Sequence, residues 1–73
     1  MRLRDLREDR DLTQKELAEL LHVRQNSYSQ YENQLRQIPI PLLEQLADFY
    51  QTSVDYLLGR TDEPSPYPPA RRR

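Results

Sequence analysis

The stretch Thr13-Gln14-Lys15-Glu16-Leu17-Ala18-Glu19-Leu20-Leu21-His22-Val23-Arg24-Gln25-Asn26-Ser27-Tyr28-Ser29-Gln30-Tyr31-Glu32-Asn33 decides the fold of this chain. Leu17, Ala18 and Leu21 recur at helical spacing, and so do Val23, Ser27, Tyr28 and Tyr31. Thr13 with Glu16 three residues on forms a capping box, in which each side chain satisfies an orphan amide at a helix start. The stretch thus spells two short amphipathic helices, ending at about Leu21 and running from about Arg24 to Asn33, joined by a tight turn. The second helix presents an outer face of Gln25, Asn26, Ser29, Gln30 and Asn33. A merely solvated helix face is usually built from charged residues such as Lys and Glu, which this face lacks, so the edges of bases in a DNA groove suit it better.

Outward from this pair, Leu3 and Leu6 among charged residues predict a first helix from Arg2 to about Arg10, broken by Asp11 and Leu12. On the other side, Gln34 to Ile40 reads as a linker, because each proline of Ile38-Pro39-Ile40-Pro41 biases its predecessor to extended backbone. Pro41 suits the first position of a fourth helix, whose wide apolar face is Leu42, Leu43, Leu46, Ala47, Phe49 and Tyr50. Ser53 caps a short fifth helix that stops at Gly59. Residues 1–62 are expected to form one domain. Residues 63–73, with four prolines among the last ten residues and Arg71, Arg72 and Arg73 at the end, are expected to be an extended or disordered tail.

Composition supports an all-α fold. Twelve leucines, five tyrosines and three alanines stand against two valines, two isoleucines and one glycine, and unbranched side chains keep more rotamer freedom on a helix. A chain of 73 residues leaves no room for a second domain and must bury nearly every apolar side chain to be stable. Without cysteine there is no disulfide or thiolate metal site, and His22, the one histidine, reads as a turn residue and not as a metal ligand. The charged start and the lack of any apolar run near the roughly 20 residues of a membrane span lead to an expected cytoplasmic location. The net charge is −1, but residues 1–40 balance seven basic against seven acidic side chains, while residues 41–63 hold one Arg against five carboxylates. Any basic surface must therefore come from geometry, and weak basicity argues against tight non-specific DNA binding.

Taken together, these residues resemble the lambda-repressor-like, Cro/CI-type (XRE) family of helix-turn-helix regulators over about residues 2–60. The resemblance rests on Leu6-Arg7, on Thr13-Gln14 with Glu16-Leu17-Ala18, and on Tyr28-Ser29-Gln30-Tyr31-Glu32-Asn33. Ile38-Pro39 and Ser53-Val54-Asp55-Tyr56-Leu57-Leu58-Gly59-Arg60 add to it. It implies a five-helix domain with its helix-turn-helix at helices two and three. The third helix then lies in the major groove as the recognition helix. It also implies a transcriptional regulator binding double-stranded DNA, in the typical case as a homodimer on a palindromic operator, with no cofactor, no small-molecule ligand and no enzymatic activity. A dimer surface around Tyr50 to Leu58 follows from the same resemblance.

Within this frame Gln25, Asn26, Ser29 and Gln30 are the candidates for base contacts, since Asn and Gln can pair bidentately with adenine and Ser can donate or accept. The resemblance places Gln14 at a phosphate, aided by the positive end of the second helix. Arg24 and Arg36 flank the reading helix and are phosphate candidates on charge. Similar proteins pair the matching acid and base, which implies an Arg7–Glu32 ion pair. Tyr28, Tyr31, Tyr50 and Tyr56 fall at helical spacing and read as core or interface, not as a stacking platform.

Three positions commonly glycine in the family are Asp11, His22 and Gln34 here. Left-handed backbone is expected at such turns; Asp and His tolerate it better than Gln, so Asn33 could take that role in place of Gln34, or the loop could differ. Arg24 replaces the usual Ser or Thr cap of the third helix. The competing function is a protein-interaction or antitoxin-like module that keeps the fold and binds a partner through the acidic half from Pro41 to Glu63.

Overall fold

The computed structural model describes residues 1–66; the expectations for Arg71 to Arg73 lie outside the described residues. Five helices run in the order α1 (Leu3–Asp9), α2 (Gln14–Leu21), α3 (Gln25–Glu32), α4 (Ile40–Tyr50) and α5 (Val54–Leu58), with no strand among the described residues. The all-α, five-helix architecture is the one expected, with boundaries shifted by a residue or two. Pro41 is the second residue of α4 and not the first, because Pro39 at φ −62°, ψ 146° serves as the cap.

The apolar spacing read from the sequence becomes one core. Leu3 of α1, Leu17, Ala18 and Leu21 of α2, Tyr28 and Tyr31 of α3, Leu43, Leu46, Ala47 and Tyr50 of α4, and Leu57 of α5 are all buried, with Ile38 of the linker among them. α2 and α3 pack directly on each other, as α4 does on α5. The capping box forms as its spacing demands: Thr13 Oγ1 accepts from the Glu16 amide at 3.1 Å, and the Thr13 amide donates to Glu16 Oε1 at 2.9 Å. Arg2 clasps the two ends of the domain. Its amide donates to the Leu57 carbonyl (2.8 Å), its Nε to the Tyr56 carbonyl (2.9 Å), and its guanidinium stacks 4.2 Å over the Tyr56 ring. Beyond α5 the chain runs back without helix, and Thr52 Oγ1 donates to the Pro64 carbonyl at 2.6 Å.

All five helices end in the same way. Each closes with a bond from the second or third residue past its end to a carbonyl five residues earlier: Leu12 to Arg7, Val23 to Ala18, Leu35 to Gln30, Thr52 to Ala47 and Arg60 to Asp55. The residue before each donor is left-handed: Asp11 (φ 54°), His22 (58°), Gln34 (58°), Gln51 (54°) and Gly59 (80°). This is the Schellman closure, whose left-handed position costs nothing for glycine and of order 1 kcal/mol for other residues. Gln34 itself takes the conformation, while Asn33 remains at φ −85°, so the alternative that Asn33 turns the chain does not hold. His22→Gly, Gln34→Gly and Gln51→Gly should each raise stability by about 0.5–1 kcal/mol, the relieved backbone strain less the extra freedom of glycine in the unfolded chain. Urea unfolding checks this; midpoints that fall in all three variants would contradict it.

Candidate nucleic-acid interface

α3 is locked along one side and open along the other. Tyr28 and Tyr31 are buried, Val23 in the preceding turn is half-buried against them, and Ala18 lets α2 come close. Gln25 and Asn26 are exposed at the first turn of α3, and Ser29 and Gln30 are half-exposed one turn on. Helical spacing thus delivers the amides and hydroxyls to one outward surface. Arg24 precedes this surface and Arg36 follows it, both exposed. Arg24 holds the cap position of α3 in extended backbone (φ −72°, ψ 147°) with no side-chain bond to the helix amides. The start of the reading helix therefore lacks an internal acceptor, and its guanidinium stays free for an anion.

Behind this surface lies a buried ionic cluster centred on Glu32, whose side chain is 0 % exposed. Arg7 Nε donates to Glu32 Oε2 at 2.6 Å and Arg7 Nη2 to Oε1 at 3.2 Å, a bidentate pair. Arg7 Nη1 also donates to the Leu12 carbonyl at 2.9 Å, holding the turn after α1. Gln14 Nε2 donates to Glu32 Oε1 at 3.1 Å. One carboxylate thus joins α1, α2 and α3. The Tyr28 hydroxyl lies beside it, close enough to lower its pKa but outside hydrogen-bonding geometry. Burial alone would raise the Glu32 pKa; the Arg7 bonds, with Tyr28 and Gln14, outweigh it and hold the carboxyl below its ordinary value. For Tyr28, burial and then the Glu32 charge push the phenol upward, so it stays neutral.

Gln14 is half-buried at the first position of α2, with one amide proton on Glu32 and a second still free. The capping box takes the Glu16 amide and leaves those of Gln14 and Lys15 outside the cap. Two side chains of this region stand out only in the structure. Arg4 Nη2 donates to Asn33 Oδ1 at 2.7 Å, and Asn33 Nδ2 to Ser29 Oγ at 3.5 Å, so α1 reaches the end of the reading helix. In sequence Arg4 is one of four arginines within the first ten residues and carries no distinguishing signal.

Among the described residues no cluster of His, Asp and Glu could hold a metal ion, and no helix is long and apolar enough to cross a membrane. The geometry is that of a helix-turn-helix domain whose α3 carries a polar outer face. A helix-turn-helix family model (HTH_3) matches residues 3–57, and the chain belongs to this XRE-type helix-turn-helix family. It is 45% identical over 65 residues to the uncharacterized HTH-type transcriptional regulator YobD of Bacillus subtilis (strain 168), covering 89% of this chain and 58% of that protein. It is 39% identical over 61 residues to the HTH-type transcriptional regulator ImmR of Bacillus subtilis (strain 168), covering 84% of this chain and 48% of ImmR. With the cryptic phage CTXphi transcriptional repressor RstR of Vibrio cholerae it shares 34% identity over 61 residues, covering 84% of this chain and 55% of RstR. The chain therefore spans about half to three fifths of the length of the curated relatives it matches. No solved structure matches it.

Proposed function

We propose that this chain is a DNA-binding transcriptional regulator, not an enzyme, which reads a specific double-stranded sequence by placing α3 in the major groove. The observation that carries it is the division of α3, one side fixed by Tyr28, Tyr31 and Glu32 and the other offering Gln25, Asn26, Ser29 and Gln30. Relatives named as transcriptional regulators and a phage repressor support it. Arg24, Arg36 and the second amide proton of Gln14 are assigned to phosphates, which fix register without carrying sequence information. Such a protein acts where the DNA is, in the cytoplasm of a bacterial cell.

Selection of bound DNA from a random pool, with affinity measured across salt, tests the proposal. An enriched motif and an affinity that falls steeply with salt are expected. No enrichment, with binding only to a protein partner, would favour the antitoxin-like alternative.

The palindromic homodimer is part of the same proposal, because one α3 contacts too few base pairs to be specific by itself. Of the stretch Tyr50 to Leu58, Tyr50 and Leu57 face the core, while Leu58 is exposed and adjoins apolar side chains from outside the stretch. Met1, Ile40 and Leu58 are 40%, 68% and 36% exposed and line one groove of roughly 540 Å³ together with Ile38 and Leu43. A second copy seated there supplies a self-complementary apolar contact. Ile40→Glu should leave the domain folded but monomeric by sedimentation and weaken operator binding at least tenfold; a wild-type monomer bound to a single half-site would refute the dimer.

A further inference from the structure

The side-chain amide of Asn33 has only one orientation open to it. A guanidinium donates and never accepts, so the atom 2.7 Å from Arg4 Nη2 is the carboxamide oxygen, and the amide nitrogen faces Ser29 Oγ at 3.5 Å. Arg4 is itself held, because its Nε stands 3.6 Å from Glu32 Oε1. One lone pair of Ser29 Oγ is therefore engaged by Asn33, and its own proton, which Asn33 has no acceptor left to take, is free to point outward. We propose that Arg4, acting through Asn33, is a positioning residue that makes Ser29 a hydrogen-bond donor toward DNA and so selects a base edge that accepts. This rests on the reading helix lying in the major groove, as proposed above. The acceptors presented there are N7 and O6 of guanine, N7 of adenine and O4 of thymine, whereas cytosine offers an amino group and is disfavoured. With the Asn33 amide turned the other way, its oxygen would take the Ser29 proton and leave the hydroxyl only as an acceptor toward DNA. Arg4 on this account contributes to which sequence is bound and not only to how tightly.

The test compares motifs selected from random DNA by the wild type and by Ser29→Ala, Arg4→Met, Arg4→Lys and Asn33→Asp, with melting temperatures measured alongside. Ser29→Ala defines the base position that Ser29 reads, where the wild type should disfavour cytosine by about tenfold. Arg4→Met should reduce that discrimination to within about twofold. Asn33→Asp should do the same, because its carboxylate still accepts from Arg4 but has no proton to give Ser29. Arg4→Lys, a donor like arginine, should retain the discrimination. If Arg4→Met and Asn33→Asp lower affinity evenly over all sequences while the preference stands, Arg4 is a simple phosphate contact and the proposal is overturned. It is overturned equally if Ser29→Ala changes no position. Failure of the wild type to enrich any sequence would instead bring down the DNA-reading proposal on which this one stands.

Discussion

Glu32→Ala should lower the stability of the domain by about 3 kcal/mol, a large part of what a chain this small possesses. The loss has two sources. The bidentate bonds from Arg7 disappear, and the Arg7 side chain, only 13% exposed, keeps its bond to the Leu12 carbonyl but loses its hydrogen-bonded carboxylate. For a domain of this size the melting temperature should fall by about 10–20 °C in thermal unfolding followed by circular dichroism. Arg7→Met should cost at least as much, since it leaves a fully buried carboxylate to Gln14 and the more distant, half-exposed Arg4. Replacing both partners by apolar groups, as in Arg7→Met with Glu32→Leu, should recover much of the loss, because the desolvation cost disappears with the charges. An unchanged melting temperature for Glu32→Ala would mean that the ion pair contributes nothing to folding.

The same pair fixes a pH dependence. The folded-state pKa of Glu32 lies below its ordinary value near 4.5, so its contribution is fully present above that value and is lost as pH falls through the depressed one. The wild type should therefore lose stability more steeply than Glu32→Ala as pH falls below about 4.5. The two curves should converge in acid; parallel curves down to pH 3 would be inconsistent with the depressed pKa.

Gln25→Ala and Asn26→Ala should each reduce affinity for the selected operator by roughly 10- to 100-fold while barely changing affinity for random DNA. Both side chains are exposed at the open end of α3 and neither supports the core, so folding stability should stay within about 0.5 kcal/mol. Arg24→Ala should behave differently, weakening binding to all sequences alike and reducing the salt slope by about one. Measured by titration at several salt concentrations, an operator preference that survives in both amide variants would remove Gln25 and Asn26 from the reading set.

Much of this molecule was legible because its signals are local. The period of Leu17, Ala18 and Leu21, the box of Thr13 and Glu16, and the cap at Ser53 act within one or two turns, and the sequence carries them undiluted. Gln34 and Gln51 were harder for a physical reason. Nothing in glutamine favours left-handed backbone, which is imposed by the need to reverse the chain between a buried residue and the next cap, as between Tyr50 and Ser53. The Arg7–Glu32 pair followed only from family resemblance, since the partners lie 25 residues apart. Arg4 and Asn33, 29 residues apart, left no trace at all, because a long exposed arginine has many possible partners and only packing selects one.

The missing cap at Arg24 also bears on how the reading helix meets DNA. The far end of α3 is clamped by Glu32 to α1 and α2, whereas its first turn, closed by the bond from the Tyr28 amide to the Arg24 carbonyl, has no side-chain cap. The end that carries Gln25 and Asn26 is thus held by fewer side-chain bonds than the end at Glu32. If α3 reads DNA as proposed, matching base pairs would order that turn, and a mismatched sequence would forfeit part of the ordering as well as its hydrogen bonds. On the proposed function, discrimination would then reside partly in the ordering of a single helical turn, and Arg24→Ser, which supplies a cap but removes the phosphate contact, should weaken binding to all sequences while narrowing the difference between them.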